Sequence, residues 1–249
     1  MINVLMIDDE QVVLDVSKLF LERQGNISVD CVLSASRGIE KLLSGNYDAI
    51  ICDYDMDEID GISFLKAIRG IYPGINSPCP DIPFIIFTGK GDECIVIEAL
   101  NCGVDFYLQK GNDPRGQLLE LAHKIEDVVS RKCREEVMDA AFENTGTCMV
   151  ILDENNSVIR MNGQMSGVLG VSKDDKDLKI NINSFVSKID QKSMMEFLDS
   201  ERLCMEKNGS NRRQCKFNLC SLTGKTFCAI AHATYIPEKK IYVLSIRLD

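Results

Sequence analysis

Residues 4–10 read Val-Leu-Met-Ile-Asp-Asp-Glu, and residues 49–55 read Ala-Ile-Ile-Cys-Asp-Tyr-Asp. Each is a short apolar run that breaks into carboxylates. Runs of this length without polar alternation suit strands buried on both faces. Outward from these two stretches the texture repeats. Ile2 to Ile7 reads as a strand and residues 10–24 as a helix carrying Val13, Leu14, Leu19, Phe20 and Leu21. Ile27 to Leu33 is strand-like, residues 36–44 helical, and Ala49 to Cys52 a third strand. Residues 61–71 follow as a helix with Ile62, Leu65 and Ile68 on one face. Ile82 to Phe87 is a fourth strand, with Pro83 near its start where a missing donor matters least. A helix over 92–101 and a strand from Val104 to Leu108 complete five strand–helix alternations. That pattern predicts an α/β domain with a doubly wound, five-stranded parallel sheet.

The carboxylates fall at the strand ends that face the ligand crevice of such sheets. Asp8 and Asp9 follow strand one, and Asp53 follows strand three. Three carboxylates converging there repel one another unless a cation lies among them, and oxygen ligands favour a hard cation such as magnesium. Asp55 lies in the same loop and offers its backbone carbonyl, Thr88 ends strand four, and Lys110 follows strand five. An acidic metal cluster with a hydroxyl and a lysine suits phosphoryl transfer to a carboxylate. Asp53 would be the nucleophile, and Thr88 and Lys110 would bind phosphoryl oxygens. One aspartate at a strand end reads as a turn residue. Five positions, each at the correct end of its strand, read as a site.

Residues 1 to about 125 resemble the receiver domain of two-component response regulators. The stretches that carry this are Val4 to Glu10, Asp53-Tyr54-Asp55-Met56-Asp57-Glu58-Ile59-Asp60-Gly61, Phe87-Thr88-Gly89 and Phe106-Tyr107-Leu108-Gln109-Lys110. The resemblance implies that Asp53 is the phosphoacceptor. It implies magnesium bound by the carboxylates of Asp9 and Asp53 and the carbonyl of Asp55, with Asp8 acting largely through water. Thr88 and Lys110 would sense the phosphoryl group, and Tyr107 would be the aromatic whose rotamer follows Thr88. The implied phosphodonor is a histidine kinase or phosphotransfer protein, and the receiver itself would catalyse the transfer. The chain departs from the family where Asp57 and Gly111 stand in place of prolines, and residues 72–81 look like an insertion. Gly111 removes the usual candidate for a cis X-Pro bond, so Lys110 is either held by another turn or kept by a strained bond. Gly89 leaves the phosphoryl position open.

Asp113 and Pro114 predict the start of a further helix, along which Leu118, Leu121, Ile125 and Val128 recur. The domains divide as a receiver over 1–128, a connecting helix over 129–140 and a second domain over 141–249. In the second, Cys148 to Leu152 and Ser157 to Met161 read as a hairpin, residues 163–203 as helix and polar loop with a charged stretch from Lys173 to Lys179, and Arg212 to Cys220, Lys225 to Tyr235 and Lys240 to Arg247 as strands. This predicts an α+β domain with an antiparallel sheet. It resembles a PAS domain through Ala141 to Gly146, Met149 to Asn155, Asn162 and Leu169-Gly170. No flavin-reactive cysteine motif and no haem-ligating histidine in 181–203 are found, so neither cofactor is expected.

The net charge of −10 argues against nucleic acid as partner, and the cluster Arg212-Arg213-Gln214-Cys215-Lys216 is too small to reverse that. Eleven cysteines lack zinc spacing, and Cys31, Cys52, Cys148 and Cys228 sit in apolar runs as core thiols, which suits a reducing compartment. No signal peptide or membrane-spanning run is read, so a cytoplasmic protein is expected. Gly89-Lys90-Gly91 lacks the spacing of a nucleotide loop, and His123 and His232 have no nucleophilic partner. With no separate enzyme domain, output is expected through contact with a downstream signalling protein or through the PAS-like domain, with a homodimer one open arrangement. Two alternatives remain at this level: the front part of a hybrid sensor histidine kinase, or a scaffold that associates constitutively without phosphate.

Overall fold

Two five-stranded sheets organise the chain, one in each of two compact units, Met1–Glu135 and Glu136–Asp249. The computed structural model describes residues 1–57, 59–71, 81–89, 91–171, 180–206 and 214–249. The insertion read at 72–81 lies outside the described residues except for Asp81, as do Lys173 to Lys179, Arg212 and Arg213. Among the described residues no helix is long and apolar enough to cross a membrane.

The first unit runs β1 (Ile2–Ile7), α1 (Gln11–Glu22), β2 (Ile27–Val32), α2 (Ala35–Ser44), β3 (Ala49–Cys52), α3 (Gly61–Ile68), β4 (Phe84–Thr88), α4 (Glu93–Asn101), β5 (Phe106–Gln109) and α5 (Pro114–Glu143). All pairings are parallel, in the order β2-β1-β3-β4-β5. That is the flavodoxin-like order, with its switch point between β1 and β3. Alternate strand residues serve two cores. Val4, Met6, Ile51 and Ile85 pack with Leu14 and Leu21 of α1 and with Leu118, Leu121, Ile125 and Val128 of α5. Leu5, Ile7, Ile50 and Ile86 pack with Leu42 of α2, Phe64 and Leu65 of α3, and Ala99 of α4.

Some boundaries differ from the sequence reading for local reasons. Val104 does not open β5, because its N–H closes α4 on the Ala99 carbonyl at 3.1 Å. Neither do Ile82 and Pro83 belong to β4, although the Pro83 carbonyl still accepts from Ile50 N–H at 2.8 Å. Gly70, at φ 68°, ends the helical run short of residue 71. Asp113 caps α5 as expected, accepting from the Gly116 N–H at 3.1 Å.

The second unit holds β6 (Cys148–Asp153), β7 (Val158–Met161), α6 (Gly163–Leu169), a 3-10 turn (Ile182–Phe185), α7 (Gln191–Glu206), β8 (Cys215–Cys220), β9 (Thr226–Ile236) and β10 (Ile241–Leu248). The sheet is antiparallel throughout, ordered β7-β6-β10-β9-β8, so the first and last strands of the unit meet at its centre. One face carries Val150, Leu152, Leu219, Tyr242 and Leu244 against Met165, Phe185, Met194, Phe197 and Leu198. The residues read as core thiols divide accordingly. Cys52 and Cys148 are buried and Cys31 is half-buried, but Cys228 is exposed, because strand alternation turns Ala229 rather than Cys228 to the core.

Asn162 ties this unit together. It is fully buried, and its Oδ1 accepts from the N–H groups of Met149 (3.0 Å) and Met165 (3.1 Å). Its Nδ2 donates to the carbonyls of Phe142 (3.0 Å) and Thr147 (2.8 Å) and lies 3.2 Å from Thr145 Oγ1. One side chain thus joins the end of α5, the entry to β6 and the start of α6. Removing it leaves several buried backbone groups unpaired at once. Asn162→Ala is expected to destabilise the second unit by about 2–4 kcal/mol. Urea unfolding followed by a probe in that unit would measure this, with the transition of the first unit unmoved.

Candidate functional site

The sheet ladder carries two aspartates one residue beyond their strands. Asp8 donates its backbone N–H to the Val32 carbonyl at 3.2 Å, and Asp53 donates to the Ile7 carbonyl at 2.8 Å. Both side chains are buried, at 1% and 6% exposure, on either side of the switch point. Lys110 closes the arrangement from the end of β5. Its Nζ lies 2.7 Å from Asp8 Oδ2 and 3.1 Å from Asp53 Oδ1. The remaining carboxylate oxygens are also engaged: Asp8 Oδ1 accepts from the Glu10 N–H at 3.0 Å, and Asp53 Oδ2 from the Asp55 N–H at 3.1 Å.

Burial and charge oppose each other here. Burial pushes the Asp8 carboxyl above its ordinary range, and the hydrogen bonds from Lys110 and Glu10 offset this only in part. Burial alone would lower the Lys110 ammonium, but its hydrogen bond to Asp8 and the charges of Asp53 and Asp8 hold it above the usual value. Thr88, at the end of β4, is buried, and its carbonyl accepts the Lys110 backbone N–H at 2.6 Å. Tyr107 is half-buried on β5 opposite Ile86, and burial raises its phenol.

The seven residues read from sequence are therefore placed unequally. Asp8, Asp53, Lys110, Thr88 and the Asp55 backbone are joined by short contacts. Asp9 follows Asp8 half-exposed, and Tyr107 lies two residues along β5 from the Lys110 turn's first residue, Gln109. The three carboxylates of Asp8, Asp9 and Asp53 do not form a closed cluster. Among the described residues no group of three or more His, Cys, Asp or Glu is arranged to hold a metal ion. The Lys110 stem is long enough to bring its ammonium between two of them, so it offsets part of their charge. The donor set of Asp8, Asp53 and the Asp55 backbone is nonetheless all oxygen, which fits a hard divalent cation.

Gly61 has a role that sequence reasoning quoted but did not assign. A Cβ there would fall 2.3 Å from the Asp53 carbonyl oxygen and 3.1 Å from Tyr54 Cα. Its N–H donates to the Tyr54 carbonyl at 2.9 Å, while Asp60 caps α3 by accepting from Ser63 N–H at 2.8 Å. The capped end of α3 is thereby pressed against the backbone of the Asp53 loop. The signal was an Asp-Gly pair at a helix start, which reads as an ordinary cap until the loop's position is known.

The family model for the response regulator receiver domain matches residues 4–123. Response regulator ArlR of Staphylococcus haemolyticus is 30% identical over 139 residues, which is 56% of this chain and 58% of that protein. Response regulator SaeR of Staphylococcus aureus is 32% identical over 131 residues, 53% of this chain and 52% of that protein. The chain thus spans little more than half the length of these curated relatives. Among solved structures, the receiver domain of the Francisella response regulator 1452 is 26% identical with a TM-score of 0.46, covering 53% of this chain and 99% of that one. The family model and the parallel sheet with its order agree that residues 4–123 have the fold of a response regulator receiver domain.

Two outcomes follow from the packing. Because the folded-state carboxyl of Asp8 titrates above its unfolded value, its contribution to stability is full at low pH and is lost as pH rises through the folded value. In metal-free buffer Asp8→Asn is expected to melt at a higher temperature than the wild type at neutral pH, the difference shrinking in acid. Thermal melts at stepped pH would test it, and a lower melting temperature at neutral pH would contradict it. Gly61→Ala is expected to destabilise the first unit by about 1–3 kcal/mol, since the added carbon meets backbone, as chemical denaturation would measure.

Proposed function

We propose that the chain is a two-component response regulator whose Asp53 accepts a phosphoryl group from a histidine kinase or phosphotransfer protein. The observation that carries this is the Lys110 ammonium held between Asp8 and Asp53 at 2.7 and 3.1 Å, at the switch point of the sheet. In this reading a carboxylate oxygen of Asp53 attacks phosphorus, the P–N bond of the donor phosphohistidine breaks, and the imidazole leaves with the bonding pair. The product is an acyl phosphate on Asp53. Lys110 turns from pairing carboxylates to pairing a phosphoryl oxygen. The Thr88 hydroxyl, one residue beyond Phe87 on β4, donates to another such oxygen. Asp8, Asp9, Asp53 and the Asp55 carbonyl would hold magnesium, which when bound neutralises charge on the phosphoryl oxygens.

The change of charge at Asp53 would be read by Thr88 and Tyr107 and passed to α5. The second unit is PAS-like in this reading. Its antiparallel sheet, with two strands, then helices, then three strands, supports that, as does the Asn162 junction at the end of α5. Its core is filled by Phe185, Phe197, Tyr235 and Tyr242, which suits protein contact as its output, with a downstream signalling protein as partner.

Treatment with acetyl phosphate and magnesium is expected to give a covalent phosphoryl adduct by intact mass, absent in Asp53→Asn and in chelator. Lys110→Ala is expected to slow its formation by about tenfold or more, the loss of a charge-assisted contact in a partly buried site. An adduct that persists in Asp53→Asn would overturn the assignment of the acceptor.

A further inference from the structure

The turn that presents Lys110 has to be held without an imino ring, since residue 111 is glycine and among the described residues no peptide bond is cis. One restraint is the Lys110 N–H bond to the Thr88 carbonyl at 2.6 Å. The second comes from α5. Gln117 Nε2 donates to the carbonyl oxygen of Gln109 at 3.1 Å, the peptide group whose N–H belongs to Lys110. The same peptide unit is therefore held at both ends, by β4 through its N–H and by α5 through its C=O.

Gly111 is what allows the second bond. A Cβ at residue 111 would lie 2.6 Å from Gln117 Nε2 and 3.7 Å from Gln117 Cδ. The space a side chain would occupy is filled by the amide itself. Gln117 is in turn well placed to act as an anchor. Its backbone N–H is bonded to the Asp113 carbonyl at 3.1 Å in the capped first turn, and the next residue, Leu118, is buried in the core between α5 and the sheet.

We propose that Gln117 is a positioning residue for phosphoryl transfer: together with Gly111 it fixes the Lys110 turn to the first turn of α5. The inference rests on the phosphoacceptor reading above. It adds a physical link from the phosphate-binding lysine to the helix that leaves the receiver, since movement of Lys110 toward a phosphoryl oxygen would pull on the Gln109 carbonyl and so on Gln117.

A double-mutant cycle tests it. Gln117→Leu removes the donor at nearly constant volume. Gly111→Ala displaces the amide, and because Gly111 lies outside the left-handed region the backbone tolerates alanine. Two readouts are needed: hydrogen exchange of the Lys110 backbone amide in unphosphorylated protein, and the rate of phosphorylation by acetyl phosphate. Each single variant is expected to speed Lys110 amide exchange and to slow phosphorylation by about three- to tenfold, the range that one hydrogen bond of ordinary net strength converts to. The double variant is expected to be no slower than either single, because both act on one contact. Melting temperatures would identify any variant slowed by loss of fold. Wild-type exchange and rate in Gln117→Leu, or effects that add in the double variant, would overturn the proposal. If the wild type takes up no phosphoryl group, the phosphoacceptor reading fails, while the exchange data still decide whether Gln117 holds the Lys110 turn.

Discussion

Two buried carboxylates side by side repel one another unless a positive charge lies between them. In the receiver that charge is the ammonium of Lys110, in contact with Asp8 and Asp53 at 2.7 and 3.1 Å. The rest of the unit depends on keeping it there. The parallel order places β1 and β3 side by side, so their aspartates are neighbours. The β4–β5 pairing brings Thr88 opposite Gln109 and sets the lysine at the same edge. The two helical layers then bury the aspartates deeply enough that the charges matter, since the pair interacts far more strongly in a partly buried crevice than in water.

The same logic explains why small residues cluster around the site. Gly61 lets the end of α3 touch the backbone of Asp53, and Gly111 gives space to the Gln117 amide. Gly89, by contrast, borders open space. The second unit uses a different device for a similar end. There a neutral amide, Asn162, takes up the loose backbone groups where a helix, a strand and another helix meet, with no buried charge to balance.

Much of this was legible in the order of residues. Apolar runs ending in Asp8 and Asp53, and strand ends at Thr88 and Lys110, carried both the parallel sheet and the edge on which these groups lie. Strand and helix periods also brought out the two-strand, three-strand plan of the second unit. Boundaries were less legible, because they turned on single bonds such as Val104 to Ala99 and on the left-handed Gly70. Cys228 was misread because its apolar neighbours say nothing about which face a strand residue takes until the register is known.

What the sequence determined by itself is the list of chemical groups and the sheet edge to which they belong, since hydrophobic periodicity and strand ends are local properties of the chain. Only the tertiary structure decided how those groups share charge and space. A four-carbon lysine stem can reach one carboxylate or several, and nothing in its spacing from Asp8 and Asp53, 102 and 57 residues away, says which. Likewise Gln117 became an anchor, and Gly111 the opening for it, only once α5 was packed on the sheet. Distances between residues remote in sequence are set by the packing of whole elements, and that is where the two halves of the site were brought into register.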